Sequence, residues 1–409
     1  METRRALILA ARRTPIGRAG GFFDRLEEYQ LLGPVIDAVL EEAGAPPESV
    51  DQVIMGNAAG PGGNVARVAV LASKLPMHTP ATTIDQQCSS GLEAINFGAR
   101  LVQTGAADVV IVGGVESVST APWRQSRPVN QNELPVIYNR ARFTPRNMDD
   151  PEMGVAAEIV AERFAITRER QDAFAVTSHA RVLESQERGV FDGEIVPLKT
   201  RHGLIKKDEN PRPGLTIQKL SRFKAAFVPG GTVTPGNCCP RSDGAAAMIV
   251  TTEENARAWG HTSALEFVDS GTGAVAPDEL GVAAVPAAQS ILRRHPELTV
   301  DDLELVEFNE AFASQTIACL DLLGIDPERV NLQGGAIALG HPYGASGAIL
   351  VTRLFTQLLR PDPVGEFDGD ARLSAGLSSD DSRDGALALA LMAAAGGVGA
   401  ATLLRSVRL

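Results

Sequence analysis

The sequence has only four cysteines in 409 residues, too few for a disulfide framework, so a reducing compartment is the expectation. It has no basic excess. Lys and Arg number 38 against 50 Asp and Glu, a formal charge of −12 that argues against broad binding to nucleic acid or anionic membranes. No uninterrupted apolar stretch reaches the roughly 18 residues of a membrane-spanning helix. The apolar run within residues 1–17 is flanked by basic residues on both sides and is too short for a signal-peptide core. Nor is the chain poor in apolar residues, as disordered chains are, since 44% are hydrophobic. The length corresponds to roughly two to three domain equivalents. These absences leave a globular, cytoplasmic protein with no nucleic-acid partner and no membrane span as the expectation.

Short apolar runs alternate with helical patterns at both ends of the chain. Ala6–Ala11, Gln52–Met55 and Val109–Val112 read as buried strands, and Leu31–Glu42 and Leu92–Thr104 as amphipathic helices closed by Gly44 and Gly105. This rhythm predicts an α/β domain with a largely parallel sheet. The charged, proline-rich middle, about 121–244, contains one long helical pattern at Thr167–Arg188 and reads as an excursion on the core rather than a linker. The rhythm then resumes with strands at Ala245–Val250, Ala264–Val268 and Leu303–Phe308 and a helix at Val285–Arg293. An internal repeat is visible here. Val50–Asn57 matches Leu303–Asn309 in pattern, and Asn57 precedes Cys88 by 31 residues while Asn309 precedes His341 by 32. Both landing points precede a small-residue turn and then a helix. A duplicated α/β unit with facing turns follows. Pro361–Gly385, rich in Asp, Gly and Ser, reads as an exposed loop interrupting the second copy.

Cys88 opens a helix after the strand-like Ala81–Ile84. The helix dipole and unpaired N–H groups there are expected to lower the thiol pKa and favour a nucleophile; the alternative is a small buried hydrophobe. His341 sits among glycines with Pro342 after it, a setting for a base toward a thiol or a donor to an oxyanion. Asn309 either orients a water or carbonyl or caps a helix. Cys238-Cys239 lacks a second ligand pair at metal spacing, and Ala395–Ala400 lacks the chain length beyond it for a dinucleotide unit, so neither a metal nor a resident cofactor is expected. Cys319 reads as core.

The stretches Arg13-Thr14-Pro15-Ile16-Gly17, Gln87-Cys88-Ser89-Ser90-Gly91-Leu92, Gly113-Gly114-Val115-Glu116-Ser117, Gly236-Asn237, Asp243-Gly244-Ala245-Ala246, Asn309-Glu310-Ala311-Phe312 and Gly340-His341-Pro342 resemble the thiolases over almost the whole chain. The resemblance implies two related βαβαβαββ halves in a five-layered α/β/α/β/α sandwich, with an inserted loop domain covering coenzyme A. On that reading, residues 1–120 and 245–270 form the N-terminal half, 121–244 the loop domain and 271–409 the C-terminal half. The chain is expected to form a homodimer or homotetramer. The resemblance makes Cys88 the acyl-accepting nucleophile and His341 its activator. Asn309 would hold a water sharing an oxyanion hole with His341. Met153 and Phe312 would contact the pantetheine arm or acyl group, with coenzyme A thioesters as substrates.

The departures from that family carry their own implications. Family members end with Cys-x-Gly-Gly-Gly-x-Gly, whose cysteine moves the α-proton in the Claisen step. Here the run is Ala393-Ala394-Ala395-Gly396-Gly397-Val398-Gly399, and alanine has no proton to move. Loss of a positioned acid/base group costs about a hundred- to ten-thousand-fold in rate. Ala395 replaces a glycine whose N–H would join that of Cys88 in an oxyanion hole, and Asp85 stands where many relatives have Asn. Cys239 stands where relatives usually have serine beside the pantetheine. It is either a substitute acid/base or local drift in a pocket wall. The functional expectation is therefore a thiolase-like acyl-CoA acyltransferase with an impaired or altered Claisen step. The alternatives are an acyl-CoA hydrolase, an acyl-transfer or decarboxylative condensing enzyme on the same fold, and an acyl-CoA-binding or scaffolding protein.

Overall fold

The structure, a computed structural model, describes residues 4–138, 140–360 and 383–409. Most of the loop expected at Pro361–Gly385 lies outside the described residues. Among those described, one sheet is built on β1 (Ala6–Arg13), β2 (Gln52–Gly56), β3 (Ala81–Ile84), β4 (Val109–Glu116), β5 (Ser242–Thr251), β6 (Ser263–Ala274), β7 (Leu303–Phe308), β8 (Leu387–Ala394) and β9 (Val398–Arg408). Their spatial order is β7-β8-β9-β6-β1-β5-β4-β2-β3. The principal helices are α1 (Glu28–Ala43), α2 (Val65–Leu71), α3 (Ser90–Thr104), α4 (Met153–Arg163), α5 (Arg168–Glu187), α6 (Ala284–Arg294), α7 (Ala313–Leu323), α8 (Ala336–Leu339) and α9 (Tyr343–Leu359).

The strand order is one pattern used twice. β1, β2, β4 and β5 have β6, β7, β8 and β9 as their counterparts, and the two sets meet where β1 pairs antiparallel with β6. The edge position of β3 is reduced in the second half to an isolated bridge between Val306 and Val330. This corrects one expected boundary. A division at 270 falls inside β6, which runs unbroken to Ala274 and pairs along its length with β9. The halves therefore divide before Ser263. The strand was underestimated because Asp269, Ser270, Gly271 and Gly273 break its apolar pattern while its backbone ladder continues.

Burial explains the apolar runs. In β1, Ala6, Ile8 and Ala11 enter one cluster while Leu7, Leu9 and Ala10 enter another. In β5, Ala246, Met248 and Val250 likewise separate from Ala245, Ala247 and Ile249. Side chains alternate across a strand, so a strand covered on both faces reads as continuously apolar. α1 and α2 cover the outer face of the first half, α6 and α7 that of the second. Between the halves, α3 and α9 pack against each other, completing five layers. α1 starts with a reciprocal capping box between Glu27 and Gln30, and α1 and α3 end on Gly44 and Gly105 in the left-handed region, φ 60° and 73°.

The excursion between β4 and β5 carries α4 and α5 and is tied to both halves by buried charges. Arg13 of β1 donates from Nε to Glu194 at 2.7 Å and from Nη1 and Nη2 to Asp208 at 2.6 and 3.0 Å. Arg353 of α9 and the Thr356 hydroxyl each donate to the other Glu194 oxygen at 2.6 Å. Both guanidiniums also lie by the Phe191 ring, 5.3 and 4.2 Å from its centroid. Burial opposes ionisation of Glu194, but Arg353 and Arg13 outweigh it and hold the carboxyl at about 2.

Glu194→Ala would leave two buried cations under-compensated, and roughly 3–5 kcal/mol of stability should be lost, measured by denaturant unfolding. Because the folded pKa lies below the ordinary 4.5, the native contribution of Glu194 is present above that pH and is lost as pH falls toward about 2.

Candidate active site

Two helix starts meet in the middle layer. A Cβ on Gly91, in the first turn of α3, would lie 2.5 Å from the Gly344 carbonyl oxygen of α9. One on Gly347 would lie 2.4 Å from the Leu92 nitrogen. Only glycine permits this backbone contact, which carries the turns before both helices toward each other. Cys88 lies in one turn and His341 in the other.

The Cys88 turn is held by its own neighbours. Gln87, immediately before the cysteine, has φ 55°, an uncommon conformation for a residue with a side chain. Its N–H donates to Asp85 Oδ1 at 2.8 Å. The Ser90 hydroxyl accepts from the Gln86 N–H at 2.9 Å and donates to the Gln87 carbonyl at 2.5 Å. Cys88 is half-buried. Burial pushes its thiol up to about 12, while the Ala395 N–H and its own N–H donate toward the sulfur and offset part of the rise. The Glu116 carboxylate adds to it. This corrects the expectation of a lowered pKa, because desolvation exceeds the helix-start effect and the resting group is a thiol.

His341 is buried. Its Nδ1 lies 2.6 Å from the Ser346 hydroxyl, which itself donates to the Pro342 carbonyl at 3.1 Å. A hydroxyl has one proton, so Ser346 accepts from Nδ1–H and the lone pair of the neutral ring resides on Nε2. This assignment follows from the network. Burial lowers the imidazole to about 4, so it is neutral near pH 7. Nε2 faces the Asn309 amide nitrogen at 3.5 Å, and Asn309 Oδ1 is buried without a hydrogen-bond partner among the described residues.

Cys239 lies beside this pair. Its N–H donates to the Ala311 carbonyl at 3.0 Å, and two residues on Arg241 bridges to His341. Burial raises its thiol well above the ordinary 9, and its charged form is further disfavoured by Cys238 and Cys88. Cys238 instead interacts with Arg212 of the excursion. Phe312 precedes α7, and its ring stands edge-on to Phe227, 6.2 Å between centroids. Phe227 in turn lies where a Cβ on Gly154 would fall, and Met153 is the preceding residue at the start of α4. Ala393 is buried at the end of β8, and Ala395 lies in the turn to β9. Cys319 is buried in the outer core of the second half.

Sequence reasoning assigned no role to Ser346, Tyr343 or Phe227. The Tyr343 ring stands edge-on to His341 at 5.3 Å, and burial, with smaller contributions from Cys239 and Cys88, raises its phenol above the ordinary 10. A serine five residues after a histidine at a helix start was the available signal for the first.

The arrangement defines an α/β enzyme with a cysteine and a neutral histidine at two facing helix starts. Residues 6–254 match the model of the thiolase N-terminal domain and 262–367 that of the thiolase C-terminal domain. The chain belongs to the thiolase family, and it is an acyltransferase. It is 44% identical over 351 residues to the "Putative acetyl-CoA C-acetyltransferase VraB" of Staphylococcus epidermidis, covering 85% of this chain and 91% of that protein. The Staphylococcus aureus protein of the same name is 42% identical over 352 residues, covering 86% and 92%. The crystal structure of the Bacillus anthracis acetyl-CoA acetyltransferase superposes with a TM-score of 0.88 at 32% identity, covering 99% of this chain and 100% of that one.

Ser346→Ala removes the acceptor that fixes the His341 tautomer. Acyl-transfer kcat should fall about tenfold, the value of one net hydrogen bond, with KM little changed in steady-state assays.

Proposed function

We propose that the chain transfers acyl groups between coenzyme A thioesters through an acyl-enzyme on Cys88. The observation carrying this reading is the neutral, oriented His341 at the helix start facing that of Cys88. As the sulfur adds to the thioester carbonyl, its proton passes to His341 Nε2. The coenzyme A sulfur then leaves as the carbonyl re-forms, taking that proton. The backbone N–H groups of Cys88 and Ala395 stabilise the oxyanion of this step, and both donate toward the sulfur in the resting site. In the second step a water anchored on the unpartnered Asn309 Oδ1 holds the oxygen, and His341 shares it only while Nε2 carries a proton. Met153 and Phe312 border the pantetheine arm, covered by residues 121–244. Self-association into a homodimer or homotetramer belongs to the same reading.

The Claisen step is altered because Ala393 offers only a methyl group. Cys239 is the substitute acid/base, supported by its backbone contact with Ala311 and its interaction with Cys88. Its raised pKa keeps it a thiol at neutral pH, suited to donating a proton and poor at removing one. A carbon nucleophile formed by decarboxylation needs no α-proton removal, and this favours the decarboxylative reading as the second.

Exchange of acetyl groups between acetyl-CoA and labelled coenzyme A tests the first half of the reaction and should vanish in Cys88→Ser. Deuterium exchange into the α-position of acetyl-CoA tests the second. It should be slow in the wild type and rise in Ala393→Cys, while thiolytic cleavage of a 3-ketoacyl-CoA, whose departing carbanion needs a proton donor, should fall about a hundredfold in Cys239→Ala. An unchanged cleavage rate in Cys239→Ala rules out that residue, and an absent coenzyme A exchange in the wild type rules out the acyl-enzyme.

A further inference from the structure

Glu116 ends β4 and is fully buried. Its carboxylate accepts from four donors drawn from both halves. The Asn57 amide donates at 2.9 Å, and the Ala58 and Ala59 N–H groups at 3.0 and 3.1 Å. The fourth is the Gly344 N–H of α9, at 3.0 Å, a residue 228 positions away. Gly344 is also the residue whose carbonyl meets Gly91 of α3, and it follows the Tyr343 ring that contacts His341. One carboxylate thus joins the end of the β2–β4 ladder to the helix start that carries the histidine.

The repeat gives this position a second meaning. In the first half Gly56, just before Asn57, pairs with Gly114; in the second Phe308, just before Asn309, pairs with Leu391. Two residues beyond each partner lie Glu116 and Ala393. The two are therefore register equivalents, and both strand ends approach Cys88, one through the Glu116 charge and the other through the Ala395 N–H. Of these two positions only Glu116 carries a group that can bind or titrate.

We propose that Glu116 is a positioning residue for acyl transfer, its carboxylate locking the 57–59 turn to the first turn of α9 so that His341 stays aligned with Cys88. It acts through Gly344 and touches no substrate. The groups facing it are Glu28 of α1, Cys88 before α3 and Tyr343 of α9, with Arg124 of the excursion donating to the Ala59 carbonyl at 3.5 Å. Burial, opposed by the Gly344, Ala58 and Ala59 N–H groups, brings its carboxyl to about 7.

The proposal rests on Cys88 being the acyl acceptor, so the test pairs a turnover readout with one that needs no acyl transfer. Glu116→Gln and Glu116→Asp are compared with the wild type by coenzyme A exchange and by the pH dependence of iodoacetamide alkylation at Cys88, after circular dichroism establishes folding. Glu116→Gln should lose about a hundredfold in kcat, the cost of a misplacement near 1 Å, with KM changed far less. It should also alkylate at lower pH, because an anion that raises the thiol pKa has gone. Glu116→Asp keeps the charge but shortens the reach, so kcat should fall while the alkylation profile stays in place. A merely structural role would lower thermal stability without separating these profiles. The proposal is overturned by near-wild-type kcat in either folded variant, or by an unmoved alkylation profile in Glu116→Gln. If Glu116→Gln does not fold, Glu116→Asp alone decides through kcat. A wild type that alkylates at Cys88 but never exchanges coenzyme A would instead defeat the acyl-enzyme reading.

Discussion

The backbone contact between the first turns of α3 and α9 is the constraint on which the remaining architecture depends. It requires glycine at Gly91 and Gly347, because a single Cβ at either would meet the opposite backbone. It requires a middle layer shared by both halves, which the antiparallel pairing of β1 with β6 provides. It also requires the strands on either side to be buried on both faces, which is why β1 and β5 feed two separate cores. Chemistry at the site follows from this packing. Cys88 and His341 come from turns 253 residues apart in the chain, and neither half alone holds both.

Electrostatics then set the resting state. Desolvation holds Cys88 as a thiol and His341 as a neutral base, so no ion pair is stored before substrate arrives. Ser346 occupies Nδ1, which leaves the lone pair of the neutral ring on Nε2. Charge is instead concentrated away from the reacting atoms. The Arg13, Arg353, Glu194 and Asp208 cluster secures the excursion, and Glu116 binds the two halves at the edge of the site.

Much of this was legible in the sequence because it is local. Leu303–Phe308 and Ala81–Ile84 match the observed strands, and Gly44 and Gly105 close their helices as read. The nearly equal spacings from Asn57 to Cys88 and from Asn309 to His341, 31 and 32 residues, expose the duplication, since a repeated unit repeats its turns. What stayed hidden is non-local. Glu116 was visible only as part of a motif, because its partner Gly344 lies in the other half. Glu194 and Asp208 sit in the charged middle of the chain, where nothing nearby in sequence marks Arg13 and Arg353 as their partners. The thiol pKa was misjudged for the same reason: the helix start can be read from a few residues, whereas desolvation depends on everything folded around it. The side-chain pattern of β6 ends at Val268, because backbone pairing rather than that pattern carries the strand on to Ala274.

An acyl-enzyme mechanism requires the acyl group to reside on Cys88. Brief incubation with acetyl-CoA, acid quench, proteolysis and peptide mass mapping test it directly. The expected result is one acetyl group, confined to the peptide containing Cys88 and released when free coenzyme A is added before the quench. An acetyl group on the Cys238-Cys239 peptide instead, or none on any cysteine, would contradict it.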